Sequence, residues 1–131
     1  MKRACIDTHA LVWHLSKPKR LGRAAARLLR EADAGRAEVL IPAIVPIELT
    51  LLRDAGRNVV GAPQIEALIA SQPSFRLAPL EMAHAMEFAL LQQIDDPFDR
   101  IIVAAARTAG VPLITADGNI AASALVQTIW E

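Results

Sequence analysis

Residues 95 to 100 read DDPFDR and stand directly ahead of the aliphatic run IIVAAA. Asp96 suits a helix N-cap, Pro97 the first helical position, and Asp99 the third, where a carboxylate favours the helix dipole. A hard cation near such a helix start would take the same side chains as ligands. Three other acids stand in apolar surroundings: Asp7 after ACI, Glu48 as the one charge in IPAIVPIELTLL, and Asp117 in LITADGNI. Each has a plain structural use. Asp7 could cap a helix begun by Thr8, Glu48 could pair with Arg53 or Arg100, and Asp117 could sit in an ordinary turn. Taken together, four carboxylates near one point would raise each other's pKa unless a cation neutralised them. Oxygen-only donors suit Mg²⁺ or Mn²⁺, ions that also bind phosphate, so the chemistry implied is phosphoryl transfer. Zinc does not fit, because His9, His14 and His84 lack ligand spacing and Cys5 has no partner. The histidines read as surface or helix-packing residues.

Such convergence requires a fold that brings four distant segments to one edge. Strand-like and helix-like stretches alternate, the pattern of a parallel sheet covered by helices. Strands are predicted at 3–6, 37–41, 75–78, 111–115 and 125–130. Helices are predicted around 8–16, over 20–34, from 43 or 46 to 55, over 64–72, over 80–93 and over 98–109, with a helical turn at 118–122. On the helix over 20–34, Leu21, Ala24, Ala25, Leu28 and Leu29 face inward and Arg20, Arg23, Arg27 and Arg30 outward. On the helix over 80–93, Met82, Ala83, Met86, Ala89 and Leu90 form one stripe, expected to be core. Gly110 is expected to close the helix before it. In a parallel sheet, ligands collect at the carboxyl ends of strands. Asp7 follows the first strand, Glu48 lies early in the helix leaving the second, Asp99 opens its helix, and Asp117 follows the fourth strand.

Composition sets the frame. The chain has 131 residues, 53% of them apolar and 4% aromatic, with no Tyr. That implies a single domain over residues 1–131 with an aliphatic, helix-rich core. One cysteine, expected to be a buried small hydrophobe, excludes an internal disulfide and points to a reducing cytoplasm. No stretch is long and uncharged enough to span a membrane, and the start lacks a signal-peptide pattern. The zero net charge conceals polarity: residues 1 to 36 hold nine bases and three acids, leaving five bases and 11 acids for the rest. Lys17, Lys19, Arg20, Arg23 and Arg27 are candidates for holding the phosphates of a polyanion; a solvated helix face accounts for them equally well. Trp13 reads as packing rather than base stacking. Arg100 could pair with an acid or meet a nucleic acid. No G-x-G-x-x-G follows the first strand, so dinucleotide binding is excluded. A phosphorylated receiver is excluded as well, since Asp7 stands alone and no lysine occurs after Lys19.

The segments ACIDTHALVWHLS, PAIVPIEL, DDPFDRIIVAAA and LITADGNI, in that order, resemble the PIN-domain proteins, and most closely the VapC-type toxins of toxin–antitoxin pairs. The resemblance runs the length of the chain. It implies a three-layer α/β/α sandwich with a mainly parallel sheet of four to five strands. It also implies an Mg²⁺- or Mn²⁺-dependent endoribonuclease that leaves 5′-phosphate and 3′-hydroxyl ends. Asp7, Glu48, Asp99 and Asp117 match the four family acids. Thr8 and Thr115 match the hydroxyls beside the first and last, and Asp96 takes a capping or supporting place. Asp95 is unassigned, and the histidine common before D-P-F-D is replaced here by LLQQID. The family further implies a homodimer and a cognate antitoxin, with a groove around Leu11 to Leu15 and Ile47 to Leu52. A PIN-like module that binds RNA or protein without cutting is the competing reading.

Overall fold

The computed structural model describes residues 1–131. In chain order the elements are β1 (Lys2–Ile6), α1 (Thr8–Ser16), a 3₁₀ turn (Pro18–Arg20), α2 (Arg23–Asp33), β2 (Ala37–Pro42) and α3 (Ile44–Asp54). They continue with α4 (Ala62–Ser71), β3 (Phe75–Ala78), α5 (Met82–Ala89), α6 (Pro97–Ala109), β4 (Leu113–Ile114), α7 (Gly118–Ser123) and β5 (Thr128–Ile129). The five strands form one sheet in the order β3-β2-β1-β4-β5. Every pairing is parallel, so the expected three-layer α/β/α sandwich is realised with no antiparallel edge.

The apolar character of the central strands is what places them inside. Ala4, Cys5, Ile6, Val39, Ile41, Leu113 and Ile114 are fully buried, as strands covered by helices on both faces require. Cys5 is one of this core, and burial pushes its thiol up to about 12, so it packs as a small hydrophobe. From β1 the chain builds outward through β2 to β3, then crosses to β4 and β5 on the other side. The order therefore reverses between β1 and β4, and the crevice beyond their carboxyl ends is where such a sheet opens.

Two expectations need correction. The helix expected from Arg20 begins at Arg23, because Pro18–Arg20 turns as a tight 3₁₀ segment and Gly22 becomes the N-cap. Gly22 is held close to the chain's end: a Cβ there would clash with the Trp130 carbonyl oxygen. More consequential is the stripe on α5. Met82, Met86 and Leu90 are 76%, 67% and 64% exposed, and Ala83 and Ala89 are exposed as well, so the stripe is not core. The helix turns its His84 side inward instead, with the His84 ring accepting a hydrogen bond from the Glu81 amide and Phe88 packed against the core. Periodicity located the stripe but not what covers it. α5 is also shorter than expected, ending at Ala89, while α6 closes on Gly110 in the left-handed conformation at φ 68°. No helix is long and apolar enough to cross a membrane.

Candidate functional site

Register places the first pair of site residues. Ile6 stands beside Ile114 in the parallel β1–β4 pair, so the residues that follow, Asp7 and Thr115, emerge next to each other at the point where strand order reverses. Asp7 is 8% exposed and caps α1, its Oδ1 accepting from the Ala10 amide at 2.9 Å. Thr115 is buried, its hydroxyl near enough to Asp7 to favour the Asp7 carboxylate and accepting from the Asp117 amide at 3.0 Å. Asp117 caps α7 with Oδ1, accepting from Asn119 at 2.8 Å and Ile120 at 3.2 Å. Asp96 does the same for α6, accepting from Phe98 at 2.8 Å and Asp99 at 3.0 Å.

Glu48 arrives on the second turn of α3. Its Oε1 accepts from the Thr8 hydroxyl, so Thr8 is a positioning group for the neighbouring acid. The ion-pair alternative is overturned: the Arg53 guanidinium donates to the Val59 carbonyl at 2.6 Å, and Arg100 donates to the Phe88 carbonyl at 2.9 Å with its Cζ 4.1 Å from the Phe88 ring centre. Arg100 therefore ties α6 to α5, and none of the five ion pairs in the structure involves a site acid.

Asp7, Glu48, Asp99 and Asp117 thus line one cavity of about 280 Å³, together with Asp96, His9, Trp13 and Ala116. The electrostatics reflect their mutual influence. Burial pushes the Asp99 carboxyl up from 3.8 to about 7, with further upward pressure from Asp96, Asp117, Glu48 and Asp7. Burial also raises Asp7, with Asp117 adding to the shift and the Thr115 hydroxyl, the Ala10 amide and His9 opposing it. Beside this cavity a polar cleft of about 500 Å³ shares Asp96, Asp99 and Asp117 and continues to Gln93, Asp95 and Asn119. The acids share the space without closing on it: no three His, Cys, Asp or Glu side chains are drawn together tightly enough to grip an ion unaided. The donor set is nonetheless chemically suited to Mg²⁺ or Mn²⁺, being oxygen-only, paired with no lysine or arginine and partly desolvated.

The sequence pattern of the PIN domain matches residues 4–124. The chain belongs to the PIN domain family. No curated protein sequence matches it significantly. Among solved structures, the PIN domain resembles VapBC2 from Rickettsia felis bound to a promoter DNA fragment, at TM-score 0.72 and 14% identity, over 98% of this chain and 99% of that one. It also resembles a toxin–antitoxin complex from Klebsiella pneumoniae, at 0.61 and 20%, with 94% of each chain covered. FitAcB from Neisseria gonorrhoeae gives 0.65 and 18%, with 95% of each chain covered. At such identities the likeness concerns the fold.

The remaining site expectations divide. His14 packs as expected, 3.3 Å from Asp33 and stacked on Phe75 at 5.7 Å between ring centres. His9, expected to be a surface or helix-packing residue, is exposed and lines the acid cavity, and Trp13 lines it too. Their spacing of four on a helix that starts beside Asp7 was the signal that put both on one face. Lys17, Lys19, Arg20, Arg23 and Arg27 are all exposed, and Arg20 lies over the Trp13 ring at 5.1 Å. Of the groove expected from α1 and α3, Leu11 and Val12 are buried and offer no surface, whereas Ile47 and Leu51 are about half exposed.

Proposed function

We propose that this PIN domain is an Mg²⁺- or Mn²⁺-dependent endoribonuclease and the toxin of a toxin–antitoxin pair. The observation that carries the reading is the convergence of Asp7, Glu48, Asp99 and Asp117, from four separate elements, on one cavity where none of them is paired with a lysine or arginine. These four carboxylates would hold the ion, Asp7 and Asp99 foremost because burial makes their charges the hardest to leave uncompensated. When bound, the ion supplies Lewis acidity toward a phosphodiester and lowers the pKa of water. Thr8 fixes the Glu48 carboxylate, Thr115 fixes Asp7, and Asp96 fixes the first turn of α6 and with it Asp99. The exposed Lys17, Lys19, Arg20, Arg23 and Arg27 supply phosphate contacts along the approaching RNA.

Partners follow from exposed apolar surface. The antitoxin segment would lie on Ile47, Leu51 and Leu77, which are each about half exposed, beside a cavity of about 320 Å³ lined by Pro46, Ile65 and Ile69. The α5 stripe supports a homodimer. Around Met86 its spacing is symmetric, with Met82 and Ala83 on one side matched by Leu90 and Ala89 on the other, which is a pattern suited to an antiparallel two-fold contact of identical helices.

The open spacing of the acids favours a second reading, a module that binds RNA without cutting it. Purified protein incubated with total RNA separates the two. Cleavage with Mg²⁺ or Mn²⁺ that is lost with chelator, and lost in folded Asp7→Asn and Asp99→Asn, supports the nuclease; binding with no metal-dependent cleavage supports the module.

A further inference from the structure

One wall of the acid cavity is built by no acid. His9 and Trp13 stand one helical turn apart on α1 and face the same space as Asp7, Glu48, Asp99 and Asp117. Their ring centres are 6.2 Å apart, with planes inclined at 51°. Trp13 also packs against Trp130, 5.7 Å away and tilted at 55°. Trp130 is itself anchored, its carbonyl accepting from the Ala25 amide at 3.0 Å and lying hard against Gly22. The Arg20 guanidinium stands over the Trp13 ring and leads away to the exposed Lys17, Lys19 and Arg23. A rigid aromatic pair therefore joins the basic surface to the acid cavity.

Packing accounts for Trp13 against Trp130. It does not cover His9, an exposed ring on the lining of a cavity of carboxylates, where it also opposes the upward shift of Asp7. That cavity repels a phosphate chain until a cation is present, so an incoming strand needs an attractive contact close by that does not depend on charge. The flat face of a base against an aromatic ring is such a contact, and it tolerates any base.

We propose that His9, backed by Trp13, forms a stacking wall for one unpaired nucleobase beside the phosphate at the acid cavity, with Arg20 and the basic surface beyond it taking the neighbouring phosphates. A duplex hides the faces of its bases, so the wall selects single-stranded RNA. The proposal rests on the ribonuclease reading for the meaning of that phosphate, but stacking is measurable without any cleavage.

The test is binding of an end-labelled single-stranded decaribonucleotide to the full chain in chelator, read by fluorescence anisotropy, for wild type, His9→Ala, His9→Phe and Trp13→Leu. His9→Ala is expected to weaken binding about tenfold and His9→Phe to restore it, as the loss and return of one stacked base predict. An RNA with abasic sites is expected to bind wild type and His9→Ala equally. Unchanged binding by His9→Ala, or a His9→Phe as weak as His9→Ala, overturns the wall. A blunt duplex that loses as much affinity on His9→Ala overturns it too. If Trp13→Leu does not fold, the two His9 variants decide alone, since that ring is exposed. RNA bound through the wall yet never cut with Mn²⁺ would end the nuclease reading and leave the wall standing. RNA cut by His9→Ala with unaltered KM would do the reverse.

Discussion

Replacing Asp99 with Asn removes a charge that the site accommodates poorly. The Asp99 carboxyl is pushed from 3.8 to about 7, by burial first and then by Asp96, Asp117, Glu48 and Asp7. Folding thus raises its pKa, and the native state keeps a proton over a range where the unfolded chain has released it. The favourable contribution is complete below pH 3.8, declines as pH rises through the window up to about 7, and is gone above it. At about 1.4 kcal/mol per pH unit, a shift of roughly three units sets a ceiling near 4 kcal/mol. Asp99 is only partly buried and solvent screens its neighbours, so the expected effect is about 2 kcal/mol.

Asp99→Asn keeps the shape of the side chain and cannot ionise. At pH 8 in chelator it is expected to be about 2 kcal/mol more stable than wild type, and at pH 4 equal to it. Added Mg²⁺ or Mn²⁺ narrows the difference, because the ion stabilises wild type through binding to the native state and has one ligand fewer in the variant. Urea denaturation followed by circular dichroism at pH 4, 6 and 8, with chelator and with each ion, measures all of this. A variant no more stable than wild type at pH 8 in chelator would show that the acids do not strain one another. Equal stabilisation of both proteins by the ion would show that Asp99 is no ligand.

Thr8→Val deletes the hydroxyl that holds Glu48; RNA cleavage is expected to drop about tenfold in kcat/KM while stability changes by about 1 kcal/mol or less, and an unchanged rate would remove Thr8 from the site. Asp96→Ala loses both α6 capping bonds, a cost of about 1 kcal/mol in thermal or urea unfolding that Asp96→Ser is expected to recover. The double reversal Arg23→Glu and Arg27→Glu is expected to weaken RNA binding without regard to sequence, and to flatten the dependence of log Kd on log salt by about one unit for each phosphate no longer neutralised. Met86→Lys puts a charge at the centre of the α5 stripe and is expected to turn a dimer into a monomer in sedimentation at equal concentration.

Much of the fold was legible because two signals agreed: alternating strand and helix patterns, and strands apolar enough to be buried on both faces. β3 appears with its expected ends, and α1 likewise. The site was legible for a related reason, since acids that interrupt apolar runs at strand ends and helix starts have few places to go in a parallel sheet. The misses arise where local sequence does not carry the deciding interaction. Gly22 has the sequence neighbours of a helix interior, and what makes it the N-cap is Trp130, distant in the chain and resting on it in space. Met82, Met86 and Leu90 have the spacing of a buried face, and spacing alone says only that a stripe exists. Glu48 has apolar neighbours in sequence and a threonine hydroxyl, not an arginine, in space.

Capping, and the ion binding proposed for these aspartates, depend on the same geometry. Asp7, Asp96 and Asp117 each give Oδ1 to backbone amides at the start of a helix. The N-termini of α1, α6 and α7 therefore converge on the acid cavity, and the partial positive charge of each helix end offsets part of the repulsion among the carboxylates. Burial raises the Asp7 and Asp99 carboxyls all the same, and the neighbouring acids add to the rise. A fold that held the acids together with no residual strain would have little free energy to gain from a cation. One that left them wholly uncompensated would push them apart or protonate them all. The caps hold the cluster between these limits, fixing where each carboxylate stands while leaving charge for an ion to neutralise.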